Sequence, residues 1–110
     1  MLPKKKRLTT EAFNRFFSSG RRHHTTHLQV IYSLHPNFHG SVVVGKKVFK
    51  SAVKRNRLRR QLYSTLYRSE KPSGVFIIIV KPASKEVQVS LLNEEMVELL
   101  EKIESTSKSR

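Results

Sequence analysis

The sequence contains no cysteine, which excludes disulfide bonds and thiolate ligands for a metal. It also contains no aspartate, and only one glutamate, Glu11, precedes Glu70. No apolar run approaches the roughly 18 to 20 residues that a membrane-spanning helix needs, and the first residues lack the apolar core of a secretion signal. We therefore expect a cytoplasmic protein with no membrane segment.

The scarcity of acid contrasts with a large excess of basic side chains. The formal charge is +14 over 110 residues, and the segment 46–61 carries eight of the 22 Lys and Arg residues without one carboxylate. Cations at this density repel one another unless a polyanion lies beside them. The charge pattern is therefore typical of a nucleic-acid-binding protein.

The length and a hydrophobic content of 37% are sufficient for one folded domain with a modest core. We expect a single RNA-binding domain over residues 1–110. Residues 1–8 are expected to form a basic arm, and residues 104–110 a disordered tail.

The aromatic residues of the first third allow two interpretations. Thr9 or Thr10 can cap a helix that ends near Gly20. Three phenylalanines lie on one face of this helix: Phe13, Phe16 and Phe17. Phe13, Phe17 and Tyr32 either pack in the core or form a platform on which unpaired bases stack. We assign Phe16 to the core.

Three or four strands are predicted. Thr26–Leu34 and Ser41–Lys46 alternate as strands do, and the Pro, Asn and Gly of HPNFHG between them predict a hairpin. Arg21–His24 can add a short strand. The run Val75–Val80 is apolar throughout and rich in β-branched residues, which is typical of a central strand buried on both faces.

A long basic helix is predicted from Ser51 to about Arg68, because this segment contains no Gly or Pro. Every fourth residue forms an apolar stripe that faces the sheet: Leu58, Leu62 and Leu66. At about 100° per residue, the opposite side carries a second set: Asn56, Arg60, Tyr63 and Tyr67. Arg55 and Arg59 flank the stripe along one edge, so two rows of cations are presented.

A final helix is predicted from Asn93, whose side chain can cap its first turn. Apolar residues recur on its inner face at helical spacing: Met96, Leu99, Leu100 and Ile103. The late glutamates fall on its outer face, which we interpret as solvated.

The sequence gives little support for a catalytic site or a metal-binding site. Hard cations need clustered carboxylates, whereas most late glutamates lie on a solvated helix. Five histidines could act as acids or bases, but no carboxylate is evident to orient them: His23, His24, His27, His35 and His39. His23 and His27 lack the further ligands of a metal site. We expect no catalytic residue and no metal site in the protein; histidines near phosphate would simply gain charge.

The segment AVKRNRLRR, preceded by VVVGKKVFKS, resembles the RNR signature of the bacterial ribonuclease P protein component. LTTEAFNRFFSSG, HLQVIY and FIIIVKPA follow the order of that family, so the similarity extends over about residues 6–103. The resemblance implies an α+β fold: a two-layer α/β sandwich of order α-β-β-β-α-β-α with a mixed four-stranded sheet. It also implies a left-handed β-α-β crossover around the basic helix, against the usual right-handed rule.

The resemblance further implies a ribonuclease P subunit that binds the catalytic RNA and the single-stranded 5′ leader of precursor tRNA. The RNA would hydrolyse the phosphodiester with Mg²⁺ that the RNA itself binds, and the protein would be a monomer within the complex. Six residues would bind the leader: Phe13, Phe17, Tyr32, Lys47, Arg55 and Arg59. Seven would bind the catalytic RNA: Lys46, Lys50, Lys54, Arg55, Asn56, Arg57 and Arg60. Tyr63 stands where many relatives keep a basic residue, which argues against a charge role there.

The residues leave two other functions open. A structural RNA-binding protein of the ribosomal type has the same charge, but does not need Phe13, Phe17 and Tyr32 exposed on one surface. A stand-alone RNA endonuclease would cleave precursor tRNA without an RNA subunit.

Overall fold

The computed structural model describes residues 8–69, 73–82, 84 and 87–108, with the backbone alone for 104–108. Three helices and four strands follow one another in this part of the chain: α1 (Thr10–Ser19), β1 (Arg21–His24), β2 (Leu28–Ser33), β3 (Phe38–Val44), α2 (Ala52–Arg68), β4 (Gly74–Val80) and α3 (Val89–Lys108). This order confirms the predicted α-β-β-β-α-β-α arrangement. The predicted basic arm lies outside the described residues except for Leu8, and α3 extends into the segment expected to be a disordered tail. No helix in these ranges is long and apolar enough to span a bilayer.

The four strands form one mixed sheet in the order β1-β2-β4-β3. β2 pairs antiparallel with β1 and with β4, whereas β3 runs parallel to β4. The predicted hairpin between Thr26–Leu34 and Ser41–Lys46 is therefore wrong, because β4 lies between these two strands. β4 is apolar on both faces, so it is stable only in the interior of the sheet with a neighbour on each side. β3 also begins at Phe38, inside the predicted turn.

The connection from β3 through α2 to β4 is the predicted crossover between parallel strands. β4 is an interior strand, as its composition predicts. The left hand of the crossover stays a prediction.

α2 and α3 pack on one face of the sheet and form the main core with it. Leu58, Leu62 and Leu66 lie in this core as predicted, and Met96 and Leu100 contribute from α3. This pairing of a sheet with a helical layer confirms the two-layer sandwich.

Two residues of the helical layer lie where the sequence did not predict them. Tyr63, expected opposite the apolar stripe, is only 8% exposed, because the sheet and α3 cover a wider arc of α2 than its leucines mark out. Asn93 does not cap α3, which begins one turn earlier, at Val89. The Oδ1 atom of Asn93 instead accepts a hydrogen bond of 2.7 Å from Oγ1 of Thr65 on α2. Tyr63 therefore packs in the main core, and Asn93 links α3 to α2.

α1 lies on the other face of the sheet. Thr9 caps it, with Oγ1 accepting a hydrogen bond of 3.2 Å from the backbone N–H of Ala12, and the helix ends at Gly20 as predicted. Phe13 and Phe16 pack against a smaller apolar cluster: Ile31, Val75 and Ile77. α1 contacts chiefly β2 and β4, so it leaves part of this face uncovered.

The uncovered part is the surface of β3. By register with β4, three residues of β3 point to the same face as Val75 and Ile77, and each is half-buried: His39, Ser41 and Val43. We call the surface of these three residues the β3 groove. It runs beside α1 and ends next to the loop that leads into α2.

Candidate nucleic-acid interface

The start of α2 and the loop before it carry the predicted cations, which we call the α2 basic face: Lys46, Lys47, Lys50, Lys54, Arg55, Arg57, Arg59 and Arg60. Arg55 and Arg59 are half-buried and the others are exposed. None of them forms an ion pair with a carboxylate among the described residues. The first turn of α2 also contains no acid, so the positive end of the helix dipole adds to the charge. The α2 basic face is therefore open to a polyanion.

Arg55 differs from its neighbours because its side chain holds a loop. Its Nη1 atom donates hydrogen bonds to the carbonyl oxygens of Phe49, at 2.9 Å, and Lys50, at 2.7 Å. Hydrogen bonds from a charged donor are stronger than those between neutral groups. Arg55 therefore positions the segment 46–50, which supplies three of the lysines.

Asn56 and Arg59 form a pair on α2. The Nη2 atom of Arg59 donates a hydrogen bond to Oδ1 of Asn56, which leaves the NH₂ group of the amide as a donor. Arg57 and Arg60 make no hydrogen bond through their side chains to the rest of the described chain. These two cations, like the exposed Lys46, Lys47 and Lys50, are therefore accessible to phosphate.

Phe13 and Phe17 of α1 form a stacked pair, with ring centroids 5.7 Å apart and planes at 27°. The guanidinium of Arg22 lies 4.9 Å from the centroid of Phe17 and donates a hydrogen bond of 3.1 Å to the carbonyl oxygen of Phe17. Phe17 is 37% exposed, whereas Phe13 is half-buried against the smaller cluster. An exposed ring beside a cation is a suitable surface for an unpaired base.

Tyr32 does not join these rings. Successive residues of a strand point to opposite faces, and Tyr32 lies in register with Phe76 on the face that α2 and α3 cover. Its ring centroid is 5.0 Å from that of Phe76. The prediction that Phe13, Phe17 and Tyr32 share one surface is therefore wrong, because α1 packs on the opposite face.

His27 has a carboxylate partner that the sequence did not reveal. Its Nδ1 atom lies 2.9 Å from Oε1 of Glu95, whose Oε2 accepts hydrogen bonds from Oγ1 of Thr25 at 2.5 Å and from the backbone N–H of His27 at 3.1 Å. Burial raises the pKa of Glu95, but the hydrogen bonds from Thr25 and His27 outweigh it and hold the pKa below its ordinary value. Glu95 is thus not a solvated residue of α3; it ties α3 to the turn between β1 and β2.

Together these features define a small basic α/β domain of the RNA-binding class, and solved structures share its fold. The Staphylococcus aureus RNase P protein aligns with a TM-score of 0.79 and 18% identity, over 89% of this chain and 94% of that one. A mutant of the S. aureus protein with defective mRNA degradation activity aligns at 0.81 and 20% identity, over 92% and 90%. The RNase P protein from Thermotoga maritima aligns at 0.76 and 19% identity, over 87% and 96%.

The family model for Ribonuclease P matches residues 2–104. The chain therefore belongs to the Ribonuclease P family, as its RNR segment predicts. No curated protein matches the sequence.

Proposed function

We propose that this protein binds the catalytic RNA of ribonuclease P together with the 5′ leader of precursor tRNA, and so assists removal of the leader. The α2 basic face carries the proposal, because its cations have no carboxylate partner in the described part of the chain. Family membership supports the reaction, which is endonucleolytic cleavage at the mature 5′ end. The contribution of the protein is then positional and electrostatic.

The proposal divides the basic residues between two RNA strands. It assigns seven residues to the catalytic RNA: Lys46, Lys50, Lys54, Arg55, Asn56, Arg57 and Arg60. It assigns the leader to Phe17, to Phe13 beside it and to three cations: Lys47, Arg55 and Arg59. Tyr32 is left out because its ring lies on the opposite face of the sheet.

The hydrolytic step belongs to the RNA in this proposal. Magnesium ions need several oxygen ligands, and the described residues contain no group of three or more His, Cys, Asp or Glu that could hold a metal ion. We therefore assign the Mg²⁺ to the RNA subunit. The protein would act as a monomer within a cytoplasmic ribonucleoprotein.

A cleavage assay of precursor tRNA at low magnesium tests the proposal with three reactions: protein alone, catalytic RNA alone, and both together. We expect efficient cleavage with both, weak cleavage with the RNA alone and none with the protein alone. Cleavage by the protein alone would indicate a stand-alone endonuclease. If the protein binds RNA but leaves the cleavage rate unchanged, a structural RNA-binding role is the better account.

A further inference from the structure

Three rings meet at one end of the β3 groove. The ring centroid of His35, in the loop between β2 and β3, lies 6.0 Å from that of Phe16 and 4.9 Å from that of His39. Both contacts are edge to face, with planes at 82° and 83°. The cluster forms because α1 packs on the face of the sheet to which His39 points. A hairpin turn at HPNFHG would not indicate this contact with α1.

His35 has a backbone partner for either of its protonation states. Its Nδ1 atom lies 3.0 Å from the amide nitrogen of Asn37 and 3.0 Å from the carbonyl oxygen of Asn37. In the neutral tautomer with its hydrogen on Nε2, Nδ1 accepts from the N–H group, whereas in the charged ring Nδ1 donates to the carbonyl oxygen. In that tautomer and in the charged ring Nε2 carries a hydrogen, and Nε2 has no partner among the described residues. His35 can therefore accept a proton in place and still present one outward donor.

His39 is a poor second site for charge. Its Nδ1 atom is buried without a hydrogen-bond partner in the described ranges. Burial, and next the neighbouring His35, lower the pKa of His39. Two charged imidazoles 4.9 Å apart would also repel each other, so a second proton on the pair is disfavoured. Of the two rings, His35 is the one whose Nδ1 has a carbonyl oxygen within hydrogen-bond distance.

The described neighbours of the His35–His39 pair carry no negative charge that would hold a proton on either ring. From α1 it meets Phe16, over whose ring the guanidinium of Arg15 lies at 4.8 Å. From β2 and β4 the same face carries Ser33 and Val75, which do not titrate. No described carboxylate contributes to the pKa of His39. Within the described residues the pair therefore has no countercharge, and a phosphate ligand can supply one.

We propose that the His35–His39 pair is a binding site for one phosphate of single-stranded RNA, and that the pair takes up a proton when the phosphate binds. This inference rests on the proposed function, because the leader is the unpaired strand that the β3 groove would hold. A phosphate oxygen accepts the Nε2 hydrogen of His35, and its negative charge favours the imidazolium. Binding and proton uptake are then linked, so leader affinity increases as the pH falls.

The test uses the complex of the full chain with catalytic RNA. The dissociation constants for precursor tRNA and for leader-free tRNA are measured from about pH 5.5 to about pH 8 at constant ionic strength, across the range where histidine titrates. Their ratio isolates the contribution of the leader. Uptake of one proton makes this ratio favour the precursor by up to about tenfold more per pH unit where the pair titrates. His35→Gln should flatten the profile, whereas His24→Gln, at an exposed position of β1, should keep it.

The outcomes separate the two proposals. A ratio that favours the precursor equally at every pH, or an unchanged profile in His35→Gln, would overturn the histidine site and leave the proposed function standing. A ratio near one at every pH would contradict both. If His35→Gln does not fold, calorimetry of the unaltered protein in two buffers of different ionisation heat decides the matter. Proton uptake with precursor but not with leader-free tRNA supports the site, and equal uptake overturns it.

Discussion

Arg55→Ala should destabilise the protein as well as weaken RNA binding, because Arg55 both holds a loop and carries charge. The substitution removes the hydrogen bonds of 2.9 and 2.7 Å from Nη1 to the carbonyl oxygens of Phe49 and Lys50. A hydrogen bond from a charged group contributes about 1.5 to 3 kcal/mol, and partial exposure of Arg55 reduces this. We therefore expect a loss of about 2 kcal/mol in the free energy of unfolding, measured by urea titration.

Arg57→Ala is the matched control, since Arg57 is exposed and makes no side-chain hydrogen bond to the described residues. It should change the free energy of unfolding by less than about 0.5 kcal/mol. It should also lower the slope of log affinity against log salt by about 0.7 to 0.9, the value of one phosphate contact. Arg55→Ala should lower the slope further, because the lysines of segment 46–50 lose their position. Equal unfolding free energies for the two variants would refute this reasoning.

Substitutions at three further positions test the placement of individual side chains. Phe17→Ala should weaken leader binding by about 1 to 3 kcal/mol with cooperative unfolding retained, as judged from precursor and leader-free tRNA affinities; loss of folding would assign the ring to the core. Tyr63→Ala should lower the unfolding free energy by roughly 3 kcal/mol while Tyr63→Phe has little effect, and equal stability of the two would contradict the burial of Tyr63. Because the pKa of Glu95 is lowered by folding, its stabilisation is complete above the ordinary pKa of 4.5 and is lost as the pH falls below it towards the folded value. Glu95→Gln should therefore flatten the acid side of the stability profile, and an unchanged profile would remove Glu95 from the acid response.

Features encoded by local pattern were predictable from the sequence. The four-residue recurrence of Leu58, Leu62 and Leu66 identifies three of the buried residues of α2, and the composition of β4 places it inside the sheet. The density of cations in segment 46–61 predicts a basic face, and six of its eight cations are exposed.

Features that depend on distant parts of the chain were not predictable. β2 and β3 have the composition of a hairpin, and only the insertion of β4 between them separates the two strands. The alternation of residues along β2 does not show which face of the sheet α1 covers and which face α2 covers. The local sequence therefore does not indicate that Tyr32 and α1 lie on opposite faces. The contact between His27 and Glu95 joins residues 68 positions apart, and no spacing rule indicates it.

The central claim is that the unneutralised cations of α2 and the exposed ring of Phe17 hold RNA while an RNA partner performs the hydrolysis. The most direct measurement compares the affinity of the catalytic RNA for precursor tRNA and for mature tRNA, with and without the protein. The account predicts that the protein increases the affinity for precursor tRNA more than that for mature tRNA. An equal increase for both would contradict leader binding, and no increase for either would contradict the claim as a whole.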